Sequence, residues 1–250
     1  MPKKLTTHQR LSRRETFRLA GAAGAMALVG RNIAGESCAA QDASALSCVV
    51  SPPLTEGPYF VDEKLNRSDL RYDPSDNRPG VPLLLQLTVH RVEGASCTPL
   101  TGAAVDIWHC DALGSYSDEG ALGTTGKKFL RGYQVTDANG AVQFTTIYPG
   151  WYMGRAVHIH FKVRGAVPGT QKTYEFTSQF FFDDALTDTV YAQAPYNTRG
   201  ARDTRNSADG IYMQAVNDGT GRTSGQLLLL PLTKADDGYV GTFDIGLTLT

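Results

Sequence analysis

The chain has 250 residues, 41% of them hydrophobic and 20% charged, which is enough to build one sizeable core. Its formal net charge of −1 argues against nucleic acid as a partner. With 26 glycines and 12 prolines, it is rich in turns, and it shows neither an internal repeat nor a long helical period.

The N-terminal segment has the features of an export signal. Six Lys and Arg residues occupy the first 30 positions against a single acidic residue, Glu15. The pair Arg13-Arg14 precedes an apolar run over residues 19–29, a pattern typical of a twin-arginine signal. That run is shorter than the roughly 20 apolar residues of a transmembrane helix. We therefore predict a twin-arginine-type signal and linker over residues 1–45, with an amphipathic surface helix as the alternative.

Export would carry the mature chain, without a membrane span, to the periplasm or the cell exterior, where disulfides persist. The four cysteines are Cys38, Cys48, Cys97 and Cys110, and four cysteines allow three pairings. Because Cys38 lies within the predicted signal and linker, we expect one disulfide among the other three. Reduced, buried thiols are the alternative.

Residues 46–250 are predicted to form one domain of short strands. Residues 83–92 alternate in the manner of a half-buried strand and place His90 on the more polar face, at the surface. Residues 134–136 and 141–147 flank an Asn-Gly turn and predict a hairpin. The remaining predictions are a short helix at residues 183–191 and strands at residues 105–110, 174–182, 227–232 and 239–249. This pattern favours an all-β fold, a single β-sandwich with long loops.

The most informative stretch is HIHFKV, which begins at His158. In a strand, side chains at i and i+2 point to the same face, so His158, His160 and Lys162 share one face and apolar residues the other. Two imidazoles at that spacing can converge on one metal ion. The alternative is an ordinary strand with two solvent-facing histidines.

Tyrosines near this strand extend the candidate site. Tyr116 lies in a loop that follows the strand predicted at residues 105–110, and Tyr148 and Tyr152 flank a Pro-Gly turn. With His158 and His160, Tyr116 and Tyr152 make a set of two phenolates and two imidazoles. Phenolates are hard, anionic donors, so this set favours Fe(III) over Cu(I) or Zn(II). Tyr148 is the rival for the second phenolate.

Four motifs carry a resemblance to a known family: TEGPYF at Thr55, VDIWHCDALGSYSD at Val105, TTIYPGWYMGRAVHIHFKV at Thr145 and TSQFFFDD at Thr177. They resemble the intradiol ring-cleaving dioxygenases, especially the protocatechuate 3,4-dioxygenase β-subunit-like branch. The resemblance runs from about Cys48 to the C-terminus. It implies an iron site made of Tyr116, Tyr152, His158 and His160, with Arg155 and Gln179 beside it, and it favours Tyr152 over Tyr148.

The resemblance also implies a function. The enzyme would be a non-haem Fe(III) dioxygenase that cleaves a catechol-type ring between its two hydroxylated carbons, with a small aromatic diol and O2 as substrates. Tyr152 would accept the substrate's proton, Arg155 would stabilise negative charge on the ring, and Gln179 would orient a neighbouring group. Tyr59 would line the mouth of the site or pack on a turn. Members of this branch often associate, so a homo-oligomer is compatible with the resemblance.

Two other functions remain open from the sequence. One is an iron- or catecholate-binding β-sandwich without turnover, and the other is a structural sandwich whose histidines have no metal. Trp108 is predicted to lie in the core and His109 to be structural. Arg199, Arg202 and Arg205 are predicted to form a solvated surface loop, with attraction of a carboxylated substrate as the alternative.

Overall fold

The computed structural model describes residues 49–73 and 76–249, which form nine strands and a few short helices. The strands are β1 (Pro82–Glu93), β2 (Ser96–Pro99), β3 (Ala104–Trp108), β4 (Arg131–Val135), β5 (Ala141–Ile147), β6 (His158–Ala166), β7 (Thr173–Phe181), β8 (Leu232–Lys234) and β9 (Tyr239–Leu247). The helices are α1 (Asp184–Tyr191), α2 (Ser224–Leu227) and three 3-10 turns, Gly120–Leu122, Tyr196–Arg199 and Asn206–Ala208.

These strands form two sheets. One sheet has the order β2-β1-β9-β8, with β5 also paired to β1, and the other has the order β4-β3-β6-β7. Alternate residues of β1, such as Leu85 and Leu87, are at most 1% exposed and share one hydrophobic cluster with Ile159 and Phe161 of β6. Burial of both inner faces between the sheets confirms the predicted all-β sandwich.

The predicted hairpin around the Asn-Gly turn is wrong. Strand β4 pairs with β3 in one sheet, whereas β5 pairs with β1 in the other. The turn itself forms, since the Gly140 N–H donates to the Asp137 carbonyl at 3.0 Å and Gly140 has a φ of 74°. The side chain of Asp137 also accepts from the N–H groups of Asn139 and Ala141, so the chain bends sharply and crosses between sheets.

Two further predictions need correction. His90 is only 6% exposed, because β1 lies between β2 and β9 at this residue, and its Nε2 lies 3.4 Å from Asp244 Oδ1. The strand predicted at residues 227–232 is mostly absent, since β8 begins at Leu232. A capping box between Thr223 and Gln226 starts the short helix α2, which ends at Leu227, the first residue of the predicted strand.

Residues 1–48, which include the predicted signal, Cys38 and Cys48, lie outside the described residues. Cys97 is disulfide-bonded, and Cys110 is a buried free thiol whose pKa is raised by burial. Within residues 49–73 and 76–249, no helix is long and apolar enough to cross a membrane.

Candidate metal centre

Strand β6 places both of its histidines in one buried spot. Its alternate residues Ile159 and Phe161 are fully buried in the core, which fixes the register and turns His158 and His160 to the opposite face. These histidines are 2% and 1% exposed, and their Nε2 atoms lie 3.1 Å apart. Two ring nitrogens this close together can bind one metal ion.

The tautomer of His158 is set by the backbone carbonyl of Ala156. Its Nδ1 lies 2.6 Å from the Ala156 carbonyl, which can only accept, so Nδ1 carries the proton and Nε2 presents a lone pair. Burial, and then the positive charge of Arg155, lower the pKa of His158 to about 3. Burial also lowers the pKa of His160 well below its usual value. Both imidazoles are therefore neutral at pH 7, as metal binding requires.

The loop before β6 delivers Tyr152 to the same spot. Its Oη lies 3.1 Å from His158 Nε2. Gly150 anchors this loop by donating its N–H to the Asp111 carbonyl at 3.0 Å, and a Cβ at position 150 would lie only 2.5 Å from the Ala112 carbonyl oxygen. Glycine is thus needed for the close approach of the two loops.

Tyr116 approaches from the loop that follows β3. The Asp111 side chain organises this loop by accepting from the N–H groups of Leu113 and Ser115. The Tyr116 ring is 1% exposed and its centroid lies 5.7 Å from that of Tyr152. Burial, with the neighbouring Tyr152 second, raises the pKa of Tyr116 well above its usual value, and burial raises that of Tyr152 to about 12. In the absence of a cation, both phenols therefore hold their protons.

The donor set fits an Fe(III) ion. In the part of the chain that the structure describes, Tyr116 Oη and His160 Nδ1 are buried without a hydrogen-bond partner. A buried phenol left unpaired is unfavourable by about 1–3 kcal/mol, a penalty that a metal bond at Oη would remove. No group of three or more His, Cys, Asp or Glu side chains able to hold a metal occurs among the described residues. A metal bound at this place would therefore need the phenols as ligands, and phenolates favour Fe(III).

Polar contacts run from Tyr152 through Arg155 to Gln179. Arg155 Nη1 lies 3.4 Å from Tyr152 Oη, and its Nη2 donates to Gln179 Oε1 at 2.5 Å. Gln179, fully buried, in turn donates to the Thr55 carbonyl at 2.8 Å. Arg155 Nε donates to Asp209 Oδ2 at 2.9 Å. The structure thus brings the two predicted neighbours, Arg155 and Gln179, into direct contact beside the candidate ligands.

Two aromatic rings cover the site. Tyr59 stacks on Tyr116 with ring centroids 4.3 Å apart and meets Tyr152 edge-on at 5.9 Å. Trp108 is buried, as predicted, but it lies against the site, parallel to the His160 ring to within 7° and 4.8 Å from it. Tyr59 is therefore part of the site's wall, and Trp108 fixes the plane of one imidazole.

The rival tyrosine lies elsewhere. Tyr148 is fully buried, its Oη lies 2.7 Å from Thr187 Oγ1, and its ring packs on Phe182 and Tyr196. Its hydroxyl is satisfied within the core. His109 is likewise structural, as predicted, since Cys110 and Thr146 occupy its two ring nitrogens.

The three arginines of the loop at residues 195–212 are engaged by protein groups. Arg199 stacks on Trp151 at 4.3 Å and donates to the Leu113 carbonyl at 2.6 Å. The Arg202 side chain is only 4% exposed and pairs with Asp184 and Asp188, so the solvated-loop prediction is wrong for this residue. Arg205, at 54% exposure, fits that prediction and also pairs with Asp188.

Two residues at the site were missed by the sequence analysis. Asp209 is 1% exposed and contacts Arg155, but the sequence around it showed only a polar, arginine-rich loop. Gly57 has a φ of 70°, and a Cβ there would lie 3.4 Å from His160 Cε1. The Gly-Pro pair in TEGPYF was a signal for a turn, and its position against a histidine depends on tertiary packing.

Comparisons with known proteins indicate the family of the chain. Residues 55–215 match the family model described as "Dioxygenase". The chain is 26% identical over 149 residues to catechol 1,2-dioxygenase 1 of Acinetobacter lwoffii. The matched region covers 52% of this chain and 45% of that protein. The chain thus spans less than half of that curated relative.

Two solved structures are similar over most of the described chain. An intradiol ring-cleavage dioxygenase from Tetranychus urticae is 30% identical with a TM-score of 0.65, and covers 80% of this chain and 95% of that one. The dioxygenase domain of a carbohydrate-binding fusion protein from Streptomyces sp. SirexAA-E is 31% identical with a TM-score of 0.55. That match covers 81% of this chain and 100% of the Streptomyces chain. The narrower resemblance to the protocatechuate 3,4-dioxygenase β-subunit-like branch stays a prediction. The chain belongs to the intradiol ring-cleavage dioxygenase family.

Proposed function

We propose that the chain is a non-haem Fe(III) dioxygenase that cleaves a catechol-type ring between its two hydroxylated carbons with O2. The proposed ligands are Tyr116, Tyr152, His158 and His160. The observation that carries the proposal is that His158 Nε2 lies 3.1 Å from both Tyr152 Oη and His160 Nε2, in a buried place where Tyr116 Oη has no partner among the described residues.

Bound Fe(III) would supply the Lewis acidity that draws electron density from a coordinated catechol and opens its ring to O2. Tyr152 is the proposed proton acceptor. It is the more exposed of the two phenols and lies at the mouth beside Tyr59, whereas Tyr116 is buried beneath the Tyr59 ring. An ionised Tyr152 Oη could take the proton of a catechol hydroxyl without any movement of the buried ligands.

Arg155 is proposed to stabilise the anionic form of the bound ring. Its guanidinium lies beside Tyr152 Oη and is held by Gln179 and Asp209, so the positive charge has a fixed position. A charge preorganised in a buried site stabilises developing negative charge more than a mobile, solvated charge does. Gln179 orients Arg155, because its own amide is anchored on Thr55.

The proposal is tested with the purified mature protein. Tyrosinate bound to Fe(III) gives a reddish charge-transfer band, so we expect a coloured protein whose band shifts when catechol is added in air and then recovers as the ring is cleaved. Oxygen uptake equal to the catechol consumed, with a diacid product identified by mass spectrometry, completes the assignment. A colourless protein that stays iron-free after loading with ferric salt would overturn the iron site.

The same measurements separate the two rival functions. A band that shifts on catechol and never recovers, with no oxygen uptake from a panel of substituted catechols, would indicate catecholate capture without turnover. Iron content near zero would indicate a structural sandwich.

We also propose export by the twin-arginine route, on the basis of the sequence of residues 1–45 alone. A fusion of these residues to a reporter protein should accumulate outside the cytoplasm, and replacement of Arg13 and Arg14 by lysine should retain it inside. Export of the double variant at the original level would contradict the proposal.

A further inference from the structure

Asp209 has an unusual set of contacts for a buried carboxylate outside the ligand set. It is 1% exposed, and its carboxylate accepts hydrogen bonds from four N–H groups. Oδ1 accepts from Ile211 N at 2.7 Å and Tyr212 N at 3.2 Å. Oδ2 accepts from Arg155 Nε at 2.9 Å and Ala156 N at 2.8 Å. One oxygen thus holds the residue's own loop, and the other reaches into the candidate site.

The two contacts of Oδ2 act on different parts of that site. The bond to Arg155 Nε fixes the plane of the guanidinium, which leaves Nη1 beside Tyr152 and Nη2 on Gln179. The bond to the Ala156 N–H fixes the residue whose carbonyl accepts the Nδ1 proton of His158.

We propose that Asp209 is a positioning residue that, through Oδ2, orients Arg155 towards Tyr152 and holds the Ala156 backbone that sets the tautomer of His158. The proposal rests on the proposed function for its kinetic consequence. It does not rest on that function for its structural consequence, which is present in the iron-free protein.

Replacement of Asp209 by asparagine turns one of its two acceptor oxygens into an NH2 donor. Asp209 offers two acceptor oxygens to two pairs of N–H donors, whereas the amide of asparagine offers one oxygen and one NH2 group. In Asp209→Asn, one pair must face a donor, and a buried donor without an acceptor is unfavourable. The matched control is Asp218→Asn, since Asp218 also accepts from a backbone N–H, that of Thr220 at 2.9 Å, and from Arg222 at 3.4 Å, but is exposed and holds no part of the candidate site.

The first experiment measures kinetics with catechol on the iron-loaded full chain. Asp209→Asn should lower kcat/KM about 10- to 100-fold, the usual range for residues that orient a metal site, while Asp218→Asn stays within about twofold. Because Asp209 acts in part through Arg155, the loss in the double variant with Arg155→Gln should be smaller than the product of the two single losses. Full additivity of the two losses, or wild-type kinetics in Asp209→Asn, would overturn the proposal.

The second experiment needs neither turnover nor a stable variant. In the iron-free wild-type protein, the Nε–H of Arg155 should exchange with solvent more slowly than that of Arg205, whose side chain is 54% exposed, and nitrogen NMR should show the Nδ1–H tautomer of His158. In Asp209→Ala, where it folds, no acceptor remains at this position and the Arg155 protection should be lost. Fast exchange of Arg155 Nε–H in the wild type would overturn the positioning role.

The two readouts also separate this proposal from the proposed function. A protein with a protected Arg155 Nε–H that turns over no catechol would contradict the dioxygenase activity alone. Turnover by a protein whose Arg155 Nε–H is unprotected would contradict the role of Asp209 alone.

Discussion

The Nε2 atoms of His158 and His160 lie 3.1 Å apart at the centre of the candidate site, although the two residues are separated by only one position in β6. Neutral imidazoles cannot both donate across that gap, and His158 presents its lone pair there because its Nδ1 proton is directed to Ala156. In the iron-free protein His160 Nε2–H can donate to that lone pair, whereas in the proposed iron site the ion would take the lone pairs of both nitrogens.

Substitution of His160 should therefore remove the metal. His160→Ala deletes one of four proposed ligands and the ring on which Trp108 stacks, so we expect iron content and the visible band to fall to a small fraction of the wild-type values. The control is His90→Ala, which changes a buried histidine of the other sheet that contacts Asp244 and should retain iron. Metal analysis of the purified proteins checks this, and full iron in His160→Ala would show that the ligand set is wrong.

Of the two tyrosines around the Pro-Gly turn, only Tyr152 should contribute to the visible band. Tyr152→Phe should weaken and shift the visible band, because one of two proposed phenolates is lost. Tyr148→Phe should leave the band unchanged and lower the free energy of unfolding by about 1 kcal/mol, since it removes only the hydrogen bond to Thr187. Absorption spectra and denaturant titration distinguish them. A changed band in Tyr148→Phe with a normal band in Tyr152→Phe would reverse the assignment.

Local patterns in the sequence predicted what local geometry decides. The i, i+2 alternation of β6 placed His158 and His160 on one face, and the alternation of β1 placed its leucines in the core. Pairing between distant segments was not predictable in this way. The turn at Gly140 suggested a hairpin, yet its flanking strands join different sheets. Asp209 reaches Arg155 across 54 positions of sequence, a contact that no spacing rule could show.

The charge of Arg155 should matter for turnover and little for iron binding. Arg155→Gln keeps a polar group beside Gln179 but removes the fixed positive charge near Tyr152, so we expect kcat to fall at least about tenfold while iron content stays close to the wild-type value. Arg205→Gln removes an equal charge from an exposed position paired with Asp188 and should keep kcat within about twofold. Steady-state kinetics with metal analysis checks this prediction. Loss of iron in Arg155→Gln would assign the residue to metal retention rather than catalysis.

His109 should make the protein less stable in mild acid. Its Nδ1 proton is directed to the Cys110 carbonyl and its Nε2 accepts from Thr146, so the buried ring is held neutral, and burial lowers its pKa to about 4 from 6.5. Below pH 6.5 the unfolded chain takes up a proton that the folded chain refuses, so the free energy of unfolding falls as the pH drops towards 4. Between pH 7 and pH 5 this single group should remove about 2 kcal/mol.

The variant His109→Gln isolates that contribution. Glutamine does not titrate, so the variant should be less stable than the wild type at pH 7 yet lose about 2 kcal/mol less between pH 7 and pH 5. Thr146→Val is the control, because it removes the hydroxyl partner but leaves the buried imidazole, and burial is the main cause of the lowered pKa. It should therefore keep the wild-type pH dependence at a lower overall stability. Denaturant titrations of the three proteins at both pH values measure the difference, and equal losses in wild type and His109→Gln would mean that His109 is protonated in the folded state.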